Sequence, residues 1–134
     1  MAVTNIFNLY INGKELNGNY YAFRVNQEDY ATRTIQANLY ITYQTGTSSN
    51  SYTLTDETVT VLYSYTDSNG DVTVTSEDSC TKATSIGSNV VTFVLPDDVL
   101  DNAGEVLGQI KIYEDVSDIL NSARFRFYVD ESIV

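Results

Sequence analysis

Between Arg33 and Tyr43 the chain reads RTIQANLYITY. Its odd positions, Ile35, Ala37, Leu39, Ile41 and Tyr43, are apolar, and the positions between them are mostly polar. A period of two marks a strand with one face buried. Thr58 to Tyr65 repeats the pattern, with Val59, Val61, Tyr63 and Tyr65 on one face. The segment DSNGD (67–71) then supplies an Asn-Gly pair, which favours positive φ and a tight reversal, and DVTVTS (71–76) alternates again. These two runs predict a hairpin. A second hairpin is predicted from Ile6–Ile11 and Tyr20–Gln27, with Asn12-Gly13 or Asn17-Gly18 at the turn and Tyr21, Phe23 and Val25 on one face of the returning arm. Near the end, ARFRFYV directs Ala123, Phe125, Phe127 and Val129 inward and Arg124, Arg126 and Tyr128 outward.

The stretch VTFVLPDDVLDNAGEVLGQIKIYED (91–115) is harder to read. Val99, Leu100, Ala103, Val106, Leu107 and Ile110 fall at helical spacing. A helix through them would hold Gly104 and Gly108, each costing about 1 kcal/mol relative to Ala, and would run into IKIYE, which alternates as a strand. Two strands joined by one helical turn use every signal. Val91, Phe93 and Leu95 face inward on the first. Pro96 suits the start of a turn, and Asp97 and Asp98 sit where the positive end of the helix dipole favours them. Gly104 provides a left-handed stop. Val106, Gly108, Ile110 and Ile112 share a face of the second strand. A connection this long suits a passage from one sheet to another.

About eight short strands with turn signals between them predict an all-β chain, a sandwich or a barrel. The 134 residues suit one domain over 1–134, with 1–19 as an N-terminal arm or edge hairpin. The expected core is Ile35, Leu39, Ile41, Val59, Val61, Val91, Phe93, Ile110, Ile112, Phe125 and Phe127.

Composition then narrows the chemistry. There is no histidine, so Ser-His-Asp and Cys-His catalysis and Cys/His zinc sites are excluded. No glycine-rich phosphate loop is present. The adjacent carboxylate pairs diverge on strands, because neighbouring side chains point to opposite faces. DSNGD resembles the start of a calcium loop but lacks the bidentate Glu that closes one, and a solvated turn is the expectation. No cofactor, metal or catalytic activity is therefore expected. Cys80 is the sole cysteine, so no internal disulfide can form, and its neighbours Glu77 and Asp78 would raise its pKa and leave it inert. The formal charge of −11 argues against nucleic acid and against anionic membranes. The opening MAVTNIFNLY lacks the basic and apolar regions of a secretory leader, and no apolar run reaches the length of about 20 residues that spans a bilayer.

In order and spacing, five pieces resemble the N-terminal domain of phage baseplate upper proteins, found in tail appendages of phages that infect Gram-positive bacteria. They are VNQEDYATRTIQANLYIT with Gln27, Asp29 and Arg33, then YTLTDETVTVLY, SNGDV, NVVTFVLPDDVLDNAGEVLGQIKIY and ARFRFYVDESI. The resemblance runs from about Tyr20 to Ile133. It implies an immunoglobulin-like antiparallel β-sandwich with one short helical crossover. It also implies a virion structural role without catalysis: a tail or baseplate adaptor, made in the bacterial host cytoplasm, that docks a host-adhesion component to the particle. Partners would be other virion proteins, with the chain in several copies or as a homo-oligomer. In the family the domain usually opens a longer chain, whereas this sequence stops at Val134, which puts docking ahead of receptor binding. The competing reading is a carbohydrate-binding module on the host surface, since tyrosines on sandwich faces stack sugars.

Parity supplies the candidate contacts. Tyr40, Leu62, Val94, Leu107, Tyr113 and Tyr128 point away from the expected core, and tyrosine is enriched in interfaces. The N-terminal Ile6, Phe7, Leu9, Tyr10 and Ile11 add an arm or edge strand that could pair with a neighbour. Asp29 and Arg33 fall in the first motif and are expected to act structurally, through turn hydrogen bonds or an ion pair, with docking as the alternative.

Overall fold

The computed structural model describes residues 3–11, 21–27, 33–42, 49–114 and 119–132. In chain order its elements are β1 (Val3–Tyr10), β2 (Arg24–Asn26), β3 (Arg33–Thr42), β4 (Ser49–Ser51), β5 (Thr58–Thr66), β6 (Val72–Val74), β7 (Asp78–Ser79), β8 (Thr81–Lys82), β9 (Val90–Val94), α1 (Asp97–Leu100), β10 (Gly104–Tyr113) and β11 (Ile119–Asp130). The strands form two sheets of a sandwich. The first has the order β1-β3-β9-β8, with β4 also paired to β3; the second has the order β2-β11-β10-β5-β6, with β7 also paired to β5.

The fold is an all-β sandwich, as the alternation predicts, but its sheets are mixed and not purely antiparallel. β1 runs parallel to β3, and β2 runs parallel to β11. The predicted hairpin between Ile6–Ile11 and Tyr20–Gln27 does not form, because its arms belong to different sheets; both Asn-Gly turn candidates lie outside the described residues. The physical reason is the order of visits. The chain lays β1 in the first sheet, places β2 in the second, and returns to the first for β3. A strand that returns after crossing to the opposite sheet can lie parallel to its predecessor, whereas a two-residue hairpin forces antiparallel pairing.

The 67–71 hairpin forms as expected between β5 and β6. Asp67 is its organiser. Its Oδ1 accepts hydrogen bonds from the backbone N–H of Asn69 at 2.9 Å and of Asp71 at 3.0 Å, and Gly70 takes the positive φ of 85°. The carboxylate is thus engaged by the turn's own donors, an arrangement that asparagine and aspartate favour in turns. The difficult stretch also resolves as two strands and a helical turn, with β9 in the first sheet, α1 between, and β10 in the second. Asp97 and Asp98 occupy the first turn, and Val99 and Leu100 are buried in the core. The turn ends at Asp101, and Gly104, with φ of 129°, opens β10 instead of capping the helix.

The inner faces supply one hydrophobic core. All five phenylalanines of the chain meet there. Phe23 stacks on Phe127 with centroids 4.6 Å apart, Phe7 lies 5.0 Å from Phe125, and Phe93 lies 6.1 Å from Phe125. Phe7 and Phe93 come from the first sheet, Phe125 and Phe127 from the second, so the cluster fastens the two layers. Gly108 pairs across the ladder with Phe125, whose ring occupies the space a Cβ at position 108 would need. Of the expected core residues only Ile41 is half-buried; the others are buried. Four departures come from the N-terminal third. Phe7 and Leu9, expected as contacts for a neighbour, are core residues together with Ile11, because β1 is a strand of the chain's own sheet with alternating sides. Tyr21, expected inward with Phe23 and Val25, is exposed, since it precedes β2 and folds over the outer face.

Tyr63 is buried in this core, and its hydroxyl has no hydrogen-bond partner among the described residues. Burial pushes its pKa well above that of a free tyrosine. Two outcomes follow for chemical denaturation. Phe125→Ala is expected to cost about 3–5 kcal/mol and Gly108→Ala about 1–3 kcal/mol through overpacking against the same ring; a loss well under 1 kcal/mol for both would mean the cluster is misplaced. Tyr63→Phe should leave stability unchanged or raise it by about 1 kcal/mol, because it removes a buried unpaired hydroxyl. A clear loss would show that the hydroxyl has a partner.

Candidate functional site: the two outer faces of the sandwich

A strand with one buried face must present the other, so the sandwich offers two outer faces. They are unlike each other. The predicted contact residues divide between them: Ile6, Tyr10, Tyr40 and Val94 on the first sheet, and Leu62, Leu107, Tyr113 and Tyr128 on the second.

On the second sheet's outer face, Leu107 is 39% exposed, and Val72 and Val74 at the β6 edge are more exposed still. Leu107 stands opposite Ser64, which in turn pairs with Val74, so one row crosses three strands. Leu62 and Arg124 flank Gln109 in the next row. Together these side chains line an open depression of about 260 Å³, and a second depression adjoins it at Val72, Glu105 and Arg126.

Polar clusters sit at the two ends of this apolar centre. At one end Arg24 grips Asp130 through two hydrogen bonds, of 3.2 Å from Nε and 2.5 Å from Nη2. Its guanidinium lies 4.6 Å from the centre of the Tyr128 ring and 5.8 Å from that of Tyr21. The charge-assisted hydrogen bond from Arg24 holds the Asp130 carboxyl below its usual range. Close by, Arg126 pairs with Glu105 at 3.2 Å. At the other end Glu77 Oε1 accepts hydrogen bonds from Tyr113 Oη at 2.6 Å and from Thr60 Oγ1 at 2.7 Å, and Lys111 lies 3.9 Å from Oε2. The Tyr113 and Thr60 bonds lower the Glu77 pKa, and the same contact raises that of Tyr113. Arg24, Lys111, Arg124 and Arg126 are four of the chain's seven basic residues, gathered on one face of a chain with net charge −11.

The first sheet's outer face has no charged side chain among the described residues. Ile6 and Val94 are exposed at one end, and the rings of Tyr10 and Tyr40 lie 5.9 Å apart at the other. Between them runs an amide relay: Gln36 Nε2 donates to Asn38 Oδ1 at 3.1 Å, and Asn38 Nδ2 donates to Asn8 Oδ1 at 3.2 Å. Gln36, at 9% exposure, is nearly buried by its neighbours on the open side of its own sheet.

Arg33, half-buried, donates from Nη1 to Asn5 Oδ1 at 2.9 Å and so ties β3 to β1. Asp29 lies outside the described residues. Gln27, named in the same motif, joins three segments: its N–H bonds Asp130 O, its Nε2 bonds Asp101 O at 2.6 Å, and its Oε1 accepts from Ser132 N–H. Burial, then the nearby Asp78, push the Cys80 thiol up to about 12, so thiolate chemistry at neutral pH is suppressed. Sequence reading missed Arg24, Val72, Val74 and the relay amides as surface features. The available signal was the scarcity of basic residues in so acidic a chain, and the outward parity of Arg124 and Arg126.

No protein-family model and no curated protein matches the sequence. Among solved structures the chain is similar to the N-terminal domain of phage TP901-1 ORF48, with a TM-score of 0.67 over 96% of this chain and 98% of that one. Identity is 13%, so the likeness is one of fold. Among the described residues no helix is long and apolar enough to cross a membrane.

The Glu77 cluster gives a titration test. A carboxylate with a depressed folded pKa contributes stability above its unfolded pKa, and that contribution is lost as pH falls through the folded value. The group is exposed, so the contribution is small and screened. Tyr113→Phe removes the largest cause, and the Glu77 midpoint followed by NMR is expected to move upward. An unchanged midpoint would mean that the Tyr113 contact is not made in solution.

Proposed function

We propose that the chain is a phage virion structural protein, an adaptor domain of the baseplate or tail appendage that docks a host-adhesion component to the particle. It works by binding, not by catalysis, and its partners are other virion proteins. The observation that carries this reading is the fold shared, over nearly the whole chain, with the N-terminal domain of a phage protein. The order of sequence motifs from Tyr20 to Ile133 supports it independently.

The second sheet's outer face suits the docking role. Exposed Leu107, Val72 and Val74 offer an apolar centre, and arginines and tyrosines surround it, the residue types that dominate protein interfaces. Its two adjoining open depressions, of about 260 and 450 Å³, can seat protruding partner side chains. The carbohydrate reading requires a free tyrosine face, and on this sheet Arg24 already stacks on Tyr128.

Incorporation into virions tests the proposal. Leu107→Glu and Tyr128→Ser are both outward changes expected to keep the fold by far-UV circular dichroism. Each should lower the copy number in purified particles about tenfold, as loss of a central contact worth 1–2 kcal/mol would. Normal incorporation of both folded variants would overturn the placement of the interface, and retention of saccharide on a glycan array by the wild-type chain would favour the host-surface reading.

A further inference from the structure

β6 lies at the side of the second sheet away from β2, and among the described residues no strand pairs with its outer edge. We propose that this edge is where the docking partner engages the chain: an extended segment of another virion protein, with alternating apolar residues and basic flanks, adds as a further strand beside β6. The inference rests on the docking role proposed above, and it names the mode of that docking and the chemistry of the segment that docks.

Three observations carry it. The first is the direction of the backbone groups. Asp67 N–H donates to Asp71 O at 2.9 Å and Thr75 N–H to Tyr63 O at 2.9 Å, in one continuous register with Tyr65 opposite Thr73. Hydrogen-bonded and non-bonded pairs alternate along an antiparallel ladder. Asp71, Thr73 and Thr75 therefore turn their backbone groups to β5, and Val72 and Val74 turn theirs outward. The edge presents two N–H and two C=O groups at strand spacing, and no proline, lysine or bulge guards it between Asp71 and Thr75. The second is the apolar row. Val72 and Val74 share the outer face with Leu107 and are 72% and 61% exposed. Val74 ends the row that runs from Leu107 through Ser64. A strand laid beside β6 continues that row and covers both valines, since strand addition joins main-chain bonds to contacts of alternate side chains. The third is charge. The segment 67–78 carries Asp67, Asp71, Glu77 and Asp78 and no basic residue. Asp71 and Asp78 stand at the two ends of the open edge, and neither carboxylate has an ion-pair partner among the described residues. A basic segment complements them, whereas a second copy of β6 laid antiparallel would bring like charges together.

Hydrogen exchange followed by mass spectrometry, on purified particles and on the free chain, tests this. The amides of Val72 and Val74 should exchange quickly in the free chain and at least about tenfold more slowly in the particle. Incorporation into particles then separates backbone from side chain. Val74→Pro removes an outward N–H and leaves the bonds to β5 intact, since proline is accepted on an edge strand with its N–H side to solvent; it should lower the copy number about tenfold. Val74→Thr keeps the N–H and the shape and should stay within about threefold of the wild type. Asp71→Lys, on an exposed hairpin residue, should lower incorporation about tenfold by repelling a basic segment. Should Val74→Pro fail to fold by circular dichroism, Val72→Pro makes the same test, and the exchange of the wild-type chain needs neither. Unprotected Val72 and Val74 amides in the particle, equal incorporation of Val74→Pro and Val74→Thr, or normal incorporation of Asp71→Lys would each overturn the inference. Loss of Leu107→Glu from particles beside normal incorporation of Val74→Pro would keep the docking face and remove the added strand; normal incorporation of Leu107→Glu and Tyr128→Ser would count against the docking face itself.

Discussion

Five phenylalanine rings hold the two sheets together, and the rest of the molecule depends on that contact. Phe7 and Phe93 reach down from the first sheet to meet Phe125 and Phe127 from the second, and Phe23 stacks beside them. Aromatic side chains bury the largest area per residue, and tilted or offset ring pairs add about 0.5–1.5 kcal/mol beyond their burial. In a chain without an internal disulfide, these rings and the aliphatic side chains around them fasten the two layers. The Phe125 ring takes its position because Gly108 leaves room beneath it. That accommodation also explains why a glycine sits in the middle of β10, where strand propensity alone disfavours it.

With the layers fixed, the outer faces are freed for contacts, and they differ in chemistry. The second sheet concentrates arginine, tyrosine and exposed aliphatic groups, with three carboxylates each pairing with a cation: Asp130 with Arg24, Glu105 with Arg126 and Glu77 with Lys111. Such surface pairs add little stability. They orient the side chains, which favours recognition because less freedom is lost on binding. The outer face of the first sheet is amide-rich and presents no charged side chain among the described residues.

Much of this was legible in the sequence because most long strands bury one face only. Alternation in 33–42, 58–66 and 104–113 is broken only by the outward Tyr40, Leu62, Leu107 and Tyr113, so parity named the core residues of β3, β5 and β10 almost without error. The stretch from Val91 to Asp115 was ambiguous by period and was decided by its glycines and by Pro96, which is physics local to the chain. The N-terminal segment was not legible. Ile6, Phe7, Leu9, Tyr10 and Ile11 are apolar on both parities, and which strand they pair with depends on where β2 settles, a matter of topology that no short window contains. For the same reason parity marked Tyr40, Val94, Leu107 and Tyr128 as outward but could not say which of them share a face. Grouping them required the sheet order.

The central claim, that this is a connector inside a phage particle, is tested most directly by a cryo-EM map of the assembled virion. The account predicts density for this sandwich at the tail or baseplate, with the outer face of the second sheet covered by another virion protein around Leu107, Arg126 and Tyr128. A particle in which the chain is absent, or in which that face is open to solvent on every copy, would contradict it.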